Sequence, residues 1–372
     1  MSDDTLRMLR DSAADFAGFD GARVRRLRGT EFGFERSVWS QMAEMGWLGV
    51  LIPEEHGGLG LKPGAAAVIA EQLGRALYPE PYSASAVAAT LALLHGDNDA
   101  LKQEQLPRLA AGDIIASLAW QDERGGLDID QCAVRARVDR GRTLLEGSSR
   151  FVAAPGADAF IVAARSAQGL ELYWLARDAA GLACETEARA DGSASARLRL
   201  HAVAAPAGAR LASAASARAA LALALDHALL AASAELLGLM ECALALTLDY
   251  LRTRVQFGKP IGSYQALQHR AVDMYIQKEL TRATLAAAVA ALDDPGCAPE
   301  RRAAAASSAK ARASQAALAI CKEALQLHGA IGYTDEYDLG LYLNRALVLS
   351  AWLGNAAAHR ARYAALAELA TS

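Results

Sequence analysis

Aromatic residues are scarce in this sequence, at 6%, although hydrophobic residues make up 53% of its 372 positions. Much of the core must therefore be alanine, leucine and valine, a composition that favours closely packed helices. Charge of one sign is not in excess either, because acidic and basic residues are mixed throughout and the net charge is −4. This balance argues against nucleic acid or an anionic membrane surface as a partner.

Cysteine patterns, signal regions and long apolar runs are missing as well. The five cysteines are scattered, with no C-x-x-C pair, which is typical of reduced thiols in a cytoplasmic protein. No stretch reaches the roughly 20 unbroken apolar residues of a membrane span. The alanine-rich run 219–232 is interrupted by Asp226 and His227, so we interpret it as a buried helix. We expect a cytoplasmic location, no membrane attachment and no metal site.

Hydrophobic periodicity divides the chain into three parts and predicts a mainly helical α+β protein. Residues 1–112 are predicted to form an N-terminal helical domain, and the short β-type runs of residues 113–205 a middle β barrel or sandwich. Residues 206–372 are predicted to form a C-terminal four-helix bundle. Its helices are expected at about 213–255, 264–293, 298–327 and 338–370.

The most informative stretch of the chain is 249–265. An apolar helix leads into it, and Arg252 and Arg254 lie in the last turn, where cations suit the helix dipole. Gly258 is expected to stop this helix, Pro260 to prevent its restart, and Gln265 to open the next one, which gives a helix–turn–helix corner. The planar fork of an arginine suits a diphosphate. The alternative is an ordinary helix end with solvated arginines.

Three motifs in order resemble those of the acyl-CoA dehydrogenase family, and the resemblance covers the whole chain. The first is Met-Ala-Glu-Met-Gly-Trp-Leu-Gly-Val-Leu-Ile-Pro-Glu-Glu-His-Gly-Gly-Leu-Gly-Leu at 42–61. The second is Arg254-x-x-Phe257-Gly258, and the third is Gln326-Leu-His-Gly329-Ala-Ile-Gly332.

This resemblance implies FAD as cofactor, an acyl-CoA thioester as substrate, and electron-transfer flavoprotein as a partner. It also implies that a carboxylate removes the α proton while the flavin accepts the β hydride. In an oligomer of such proteins, one set of residues reaches the adenosine diphosphate part of the neighbouring subunit's flavin. By resemblance these residues are Arg254, Phe257, Tyr264, Gln265, Gln326 and Gly329. Glycines 329 and 332 are expected to let the backbone approach a ligand closely.

The sequence departs from the family where the chain would contact its own flavin. Gln121 stands where the family has a threonine, and Phe151 and Ala153 stand where it has Trp-x-Thr. A ring is kept at 151, whereas the hydroxyl at 153 is lost. We still assign these three positions to the cofactor by resemblance.

The family's catalytic base is also missing. The glutamate that precedes a glycine in most members corresponds to Leu353, and the alternative position in the first bundle helix corresponds to Ala228. Neither side chain ionises, so no catalytic residue is assigned with certainty. Asp226 lies about 200° around the helix from Ala228, and Glu235 lies about two turns further on. Either could be a base, but a solvated or ion-paired carboxylate is the commoner role.

This pattern is similar to the small-subunit branch of heteromeric acyl-CoA dehydrogenases, including pimeloyl-CoA and steroid side-chain types. It predicts a homo- or hetero-oligomer, a dimer of dimers. Because a homo-oligomer would lack both base positions, we hypothesise that a related acyl-CoA dehydrogenase-like subunit carries the base. The space left by Leu353 and Ala228 favours a bulky acyl group. Two alternatives remain open: a non-catalytic scaffold that kept the fold, and a relative with flavin monooxygenase-like chemistry, which needs no base.

Overall fold

Helices make up most of the chain in the computed structural model, which describes residues 3–371. The first six are α1 Asp3–Phe16, α2 Gly21–Leu27, α3 Arg36–Glu44, α4 Pro63–Arg75, α5 Thr90–Leu94 and α6 Asp99–Ala110. The last five are α7 Ala217–Thr253, α8 Gln265–Asp293, α9 Pro299–His328, α10 Leu339–Ala351 and α11 Ala356–Thr371. A π-helix, Ser83–Ala89, leads directly into α5.

Eight strands form one sheet in the middle of the sequence. They are β1 Ala116–Ala119, β2 Arg135–Asp139, β3 Arg142–Ala153, β4 Ala159–Arg165, β5 Leu170–Ala176, β6 Leu182–Ala188, β7 Ala194–Ala204 and β8 Arg210–Ala212. The strand order is β6-β7-β3-β2-β4-β5-β8, and β1 pairs with β4 in parallel. The predicted middle β domain is thus confirmed, but as an open sheet that ends at β6 and β8 and not as a closed barrel.

The chain divides into two compact units. One contains Leu27–Ala66 and Pro79–Ala228, and so holds the sheet with the π-helix packed against β1. The other contains the residues up to Arg26, Ala67–Tyr78 and the chain from Leu229 onward, and so holds the long C-terminal helices. The three domain boundaries predicted from the sequence remain predictions.

The C-terminal bundle is built on α9, which packs against α8, α10 and α11. The predicted helices 213–255, 264–293 and 298–327 correspond to α7, α8 and α9. The predicted fourth helix, 338–370, is wrong in one respect, because it is broken between α10 and α11. Leu353 and Gly354 have φ values of +56° and +100°, outside the helical region. The Asn355 side chain then accepts a hydrogen bond from the Ala358 amide and starts α11.

Small residues allow α4 and α7 to touch through their backbones. A Cβ at Gly74 would lie 2.1 Å from the Glu235 carbonyl oxygen, and a Cβ at Gly238 would lie 1.9 Å from that of Glu71. No side chain fits at either point. This contact illustrates the close helix packing that the alanine-rich composition predicts.

Helix α7 is long and apolar enough to cross a membrane by length and composition. In the structure, 78% of its most apolar window is buried, as expected of a core helix. The predicted buried helix over 219–232 is therefore confirmed. The cytoplasmic location stays a prediction.

Candidate active-site elements

The Arg-x-x-Phe-Gly motif forms a β hairpin at the end of α7. The strands are β9 Val255–Gln256 and β10 Lys259–Pro260, and the turn residues Phe257 and Gly258 have φ values of +53° and +79°. Two left-handed residues in succession are typical of a type I′ hairpin turn. The predicted helix–turn–helix corner is therefore wrong in detail, since a hairpin separates the helices. Phe257 is 91% exposed, and its strained backbone presents the ring to solvent.

Two guanidinium groups accompany this ring. The chain is exposed from Arg252 to Pro260, and among the described side chains no carboxylate pairs with Arg252 or Arg254. The Arg254 backbone is nonetheless fixed: its N–H donates to the Tyr250 carbonyl at 2.9 Å, and its carbonyl accepts from the Ile261 N–H at 2.8 Å. The arrangement is a rigid backbone that carries cations available to an anionic ligand.

Tyr264 and Gln265 follow the hairpin directly. The Tyr264 hydroxyl donates to the Gln256 carbonyl at 3.4 Å, and the Lys259 ammonium lies 4.2 Å from the centre of the tyrosine ring. Gln265 is the exposed first residue of α8. Both predicted cofactor residues therefore border the hairpin.

His328 joins the end of α9 to the end of α7. Its ring stacks on Tyr250 with centroids 4.4 Å apart, and Tyr250 lies one helical turn before Arg254. Nδ1 is 2.8 Å from the Ala324 carbonyl and Nε2 is 3.1 Å from the Tyr337 hydroxyl, so Nδ1–H donates and Nε2 accepts. Burial lowers the pKa of His328, which agrees with a neutral ring. The stack brings the motifs at 254–258 and 326–332 side by side.

The turn after α9 offers an exposed side chain and an open backbone. Gln326 is exposed, and Gly329 has φ +65° and ψ −140°, a conformation that essentially only glycine adopts. A Cβ at Gly329 would meet nothing within 4 Å, so its backbone is open to a ligand. Gly332 differs from the expectation, because it is buried and a Cβ there would lie 3.1 Å from the Leu325 carbonyl oxygen. Its role is packing.

The three residues assigned to the chain's own flavin lie together in the sheet-containing unit. The Gln121 carbonyl accepts from the Ser149 hydroxyl and the Arg150 N–H, both at 3.0 Å. The Ala153 carbonyl accepts from the Ser117 hydroxyl. The ends of β1 and β3 are thereby joined, and Gln121, Phe151 and Ala153 are brought to one place.

A β-bulge sets the position of Phe151. Ser149 pairs with Leu198 and Val152 with Ala196, so β3 contains one more residue than β7 between these two pairs. Phe151 takes the strained conformation of the bulge, at φ +60°, and the Arg150 guanidinium lies 5.1 Å from its ring centre. Bulges often re-aim a side chain next to an active site.

The Gln121 side chain forms its hydrogen bonds within the chain. Its amide nitrogen donates to the carbonyls of Gly125 and Gly126 at 3.0 and 3.1 Å. These bonds fix the turn after β1. Together with the methyl group of Ala153, they leave this strand end poor in donors for a ligand.

The two expected base positions hold buried apolar residues. Ala228 is fully buried in α7, and Leu353 is 6% exposed in the α10–α11 turn. Glu235 is ion-paired, because Arg345 Nε lies 2.9 Å from its Oε1. Of the two roles considered for this carboxylate, base or ion-pair partner, the structure shows the ion pair. His227 is a satisfied helix residue whose Nδ1 lies 2.8 Å from the Leu223 carbonyl.

Sequence reasoning missed two buried basic residues, Lys310 and His359, which contact the backbone of the turn that carries Leu353. A lysine inside the run Ala-Ser-Ser-Ala-Lys-Ala at 306–311 was the available signal for the first of them. His359 had no such signal, because its partners lie on other elements.

With this geometry described, comparison with known proteins gives two matches to family descriptions. Residues 3–113 match the acyl-CoA dehydrogenase N-terminal domain and residues 210–367 match the acyl-CoA dehydrogenase C-terminal domain. The acyl-CoA dehydrogenase IpdE2 of Mycobacterium tuberculosis is 32% identical over 347 residues, which cover 91% of this chain and 90% of IpdE2. The chain belongs to the acyl-CoA dehydrogenase family.

The fold is similar to that of solved structures over nearly the whole length of this chain. A variant of the Tcur3481-Tcur3483 steroid ACAD is 31% identical with a TM-score of 0.88, and 99% of each chain is covered. The ChsE4-ChsE5 complex from Mycobacterium tuberculosis is 26% identical with a TM-score of 0.89, covering 100% of this chain and 99% of the other. The family consists of FAD-containing oxidoreductases that act on the CH–CH group of an acyl-CoA.

Proposed function

We propose that this chain is one subunit of a heteromeric, FAD-dependent acyl-CoA dehydrogenase that oxidises the α,β bond of an acyl-CoA thioester. The observation that carries the proposal is a contrast within the chain. The motif at 254–258, which we assign to a neighbour's flavin, is exposed, and its Arg254 has no carboxylate partner among the described side chains. Both positions for a base hold apolar residues, Leu353 and Ala228.

The residues at the hairpin fit the diphosphate part of FAD. Arg254 supplies a planar, charged donor group, Phe257 an exposed ring, and Gly329 an open backbone. We propose that they hold the cofactor of the partner subunit. FAD, when bound, supplies the acceptor for the β hydride. The chain's own flavin position is weaker, because the Gln121 amide is used by its own loop and Ala153 has no hydroxyl.

Proton abstraction is the step that this chain leaves to its partner. A carboxylate must accept the α proton, and neither a leucine nor an alanine can do so. Glu235 is buried and ion-paired with Arg345, so its carboxylate is already engaged within the chain. The base therefore belongs to the partner, a homologue with a glutamate at the position that corresponds to Leu353.

An apolar face on α8 fits this partner. Four exposed residues at helical spacing lie on it: Val272, Tyr275, Ile276 and Leu280. Contiguous exposed apolar surface of this kind commonly marks an interaction site. We assign it to contact with a second acyl-CoA dehydrogenase-like chain, in an assembly of two copies of each. Two of the similar structures carry the names of two proteins each, the ChsE4-ChsE5 complex and Tcur3481-Tcur3483.

Ile276→Glu is expected to weaken this assembly by at least roughly tenfold, because it buries a charge in an apolar interface. The fold should be unaffected, since exposed substitutions usually change stability by about 0.5 kcal/mol or less. Native mass spectrometry of the co-purified subunits measures the change. Ala364→Glu, at an exposed position on α11, is the control. If the assembly remained intact with Ile276→Glu, the assignment of α8 to the interface would be wrong.

The acyl group that we propose is bulky, such as a steroid side chain. Neither Ala228 nor Leu353 carries a charge that would disfavour an apolar group, and a steroid ACAD is 31% identical to this chain. Electron-transfer flavoprotein is the proposed acceptor of the electrons. Both assignments come from family resemblance together with the side chains at these positions.

The test is the visible absorption spectrum and the flavin content per chain, measured on the protein purified alone and after co-expression with a base-bearing homologue. We expect little flavin and only residual turnover from the chain alone. A gain of roughly 10²- to 10⁴-fold in turnover is expected in the complex, the usual contribution of a general base. Full FAD occupancy with normal turnover by the chain alone would overturn the proposal.

A further inference from the structure

The turn between α10 and α11 holds a leucine in a strained conformation. Leu353 has φ +56°, a left-handed conformation that costs a non-glycine residue free energy and persists only where the surroundings impose it. The side chain is 6% exposed. Two buried basic residues from α9 and α11 contact this turn, and neither has a role in the function proposed above.

Lys310 holds the turn from α9. Its ammonium lies 3.0 Å from the Gly354 carbonyl oxygen, 3.3 Å from that of Ser350, and 3.1 Å from the Ser314 hydroxyl. Three donors thus meet three acceptors: the Ser350 carbonyl in the last turn of α10, the Gly354 carbonyl in the turn that follows, and the Ser314 hydroxyl. The lysine side chain is fully buried, so these bonds have no competition from water.

These contacts survive a change in the charge of the lysine. Burial lowers the pKa of Lys310 to about 7. The neutral amine has two donors, which suffice for the two carbonyls, and its lone pair can accept from the Ser314 hydroxyl. Both protonation states therefore hold the backbone of the turn.

His359 holds the same turn from α11. Its Nε2 lies 2.8 Å from the Leu353 carbonyl oxygen, so this nitrogen carries the proton and donates. Nδ1 lies 3.4 Å from the Ser307 hydroxyl, which in turn accepts from the Arg362 guanidinium at 3.0 Å. Burial first, and then the charge of Lys310, lowers the pKa of His359 to about 4, so the ring is neutral and its tautomer is fixed.

We propose that Lys310 and His359 are positioning residues that fix the backbone at 353 and 354, so that Leu353 is presented as a rigid apolar contact for the acyl group. The proposal rests on the proposed function. Both residues bind carbonyl oxygens of the turn, and neither bond involves the side chain at 353. The two hydrogen bonds are therefore available whichever side chain stands at 353, so a base could be replaced by leucine without loss of either bond.

Hydrogen exchange on the full-length chain tests the positioning directly. The amides of Trp352 and Gly354 donate to Val348 and Ala351, so their protection reports on opening of the turn. Lys310→Met is expected to reduce protection in residues 348–358 by roughly ten- to a hundredfold, the effect of leaving buried carbonyl groups without a donor. Lys322→Met, at an exposed lysine on the same helix, should leave it unchanged.

The His359 variants keep the test decisive if Lys310→Met folds poorly. His359→Phe removes the donor and should lower protection of the same segment, whereas His359→Gln keeps an amide donor and should retain most of it. Wild-type protection in both Lys310→Met and His359→Phe would overturn the proposal. So would equal loss in His359→Gln and His359→Phe, since packing alone would then explain the effect.

A kinetic measurement on the assembled enzyme separates this proposal from the proposed function. Loosening the turn should raise KM for a bulky acyl-CoA several-fold with kcat nearly unchanged, because only binding of the acyl group is affected. An assembly without turnover on any acyl-CoA would contradict the proposed function. Hydrogen exchange would then still test whether Lys310 and His359 fix the turn. Lost protection with an unchanged KM would overturn the role assigned to Leu353.

Discussion

Arg254→Ala is expected to weaken FAD binding in the assembled enzyme by roughly 10- to 150-fold, the range for losing a hydrogen bond to a charged group. The guanidinium stands on a hairpin whose backbone is held by bonds to Tyr250 and Ile261. It is exposed and has no carboxylate partner among the described side chains. Its donors are therefore free for the diphosphate, and no internal ion pair has to be broken first.

The measurement is the dissociation constant for FAD on reconstitution of the apo-assembly, with Arg252→Ala as the matched control. Arg252 is also exposed and lies in the last turn of α7, but it precedes the motif. Arg254→Lys should fall between wild type and Arg254→Ala, because an ammonium keeps the charge and loses the two parallel bonds. Equal affinities for Arg254→Ala and wild type would remove Arg254 from the cofactor site.

The sequence was most informative where local periodicity decides the structure. The three long helices α7, α8 and α9 follow from their apolar pattern and from the breaks at 258–260 and 295–296. The cap of α6 is local in the same way, since the Asn98 side chain accepts from the Leu101 amide at 3.1 Å. In each case the interaction joins residues close together in the chain.

Features set by distant partners could not be predicted. Strand β3 runs over Arg142–Ala153, because pairing with β7 carries the strand through Gly147 and three polar residues. The bulge at Phe151 results from the same pairing, since it is a mismatch between two strands more than forty residues apart. Tertiary pairing of this kind overrides local β propensity.

The candidate site divides in the same way. The residues at 254–258 and 326–332 could be named from motifs, but their proximity depends on the Tyr250–His328 stack. The sequence predicts a continuous helix through 353, because Gly354 alone is a weak stop signal. What imposes the break includes Lys310 and His359, which reach the turn from 43 and 6 residues away from Leu353 in the sequence.

Arg345→Met is expected to destabilise the protein by about 3–5 kcal/mol, the usual cost of leaving a buried charge without its partner. Glu235 and Arg345 are both mostly buried, and Arg345 Nε donates to Glu235 Oε1 at 2.9 Å. Chemical denaturation followed by circular dichroism gives the change in the free energy of unfolding. The double variant Glu235→Gln/Arg345→Met should lose less than the single variant Arg345→Met, because no uncompensated carboxylate remains.

The same pair decides whether this chain has a base of its own. Glu235 lies on the same face of α7 as the alternative base position, Ala228. If Glu235 were the base, Glu235→Gln would abolish proton abstraction. We expect instead that Glu235→Gln leaves turnover of the assembly within about twofold of wild type at equal flavin content, since a paired structural carboxylate takes no part in the chemistry. A loss of roughly 10²-fold or more at full FAD occupancy would identify Glu235 as the base and remove the need for one on the partner.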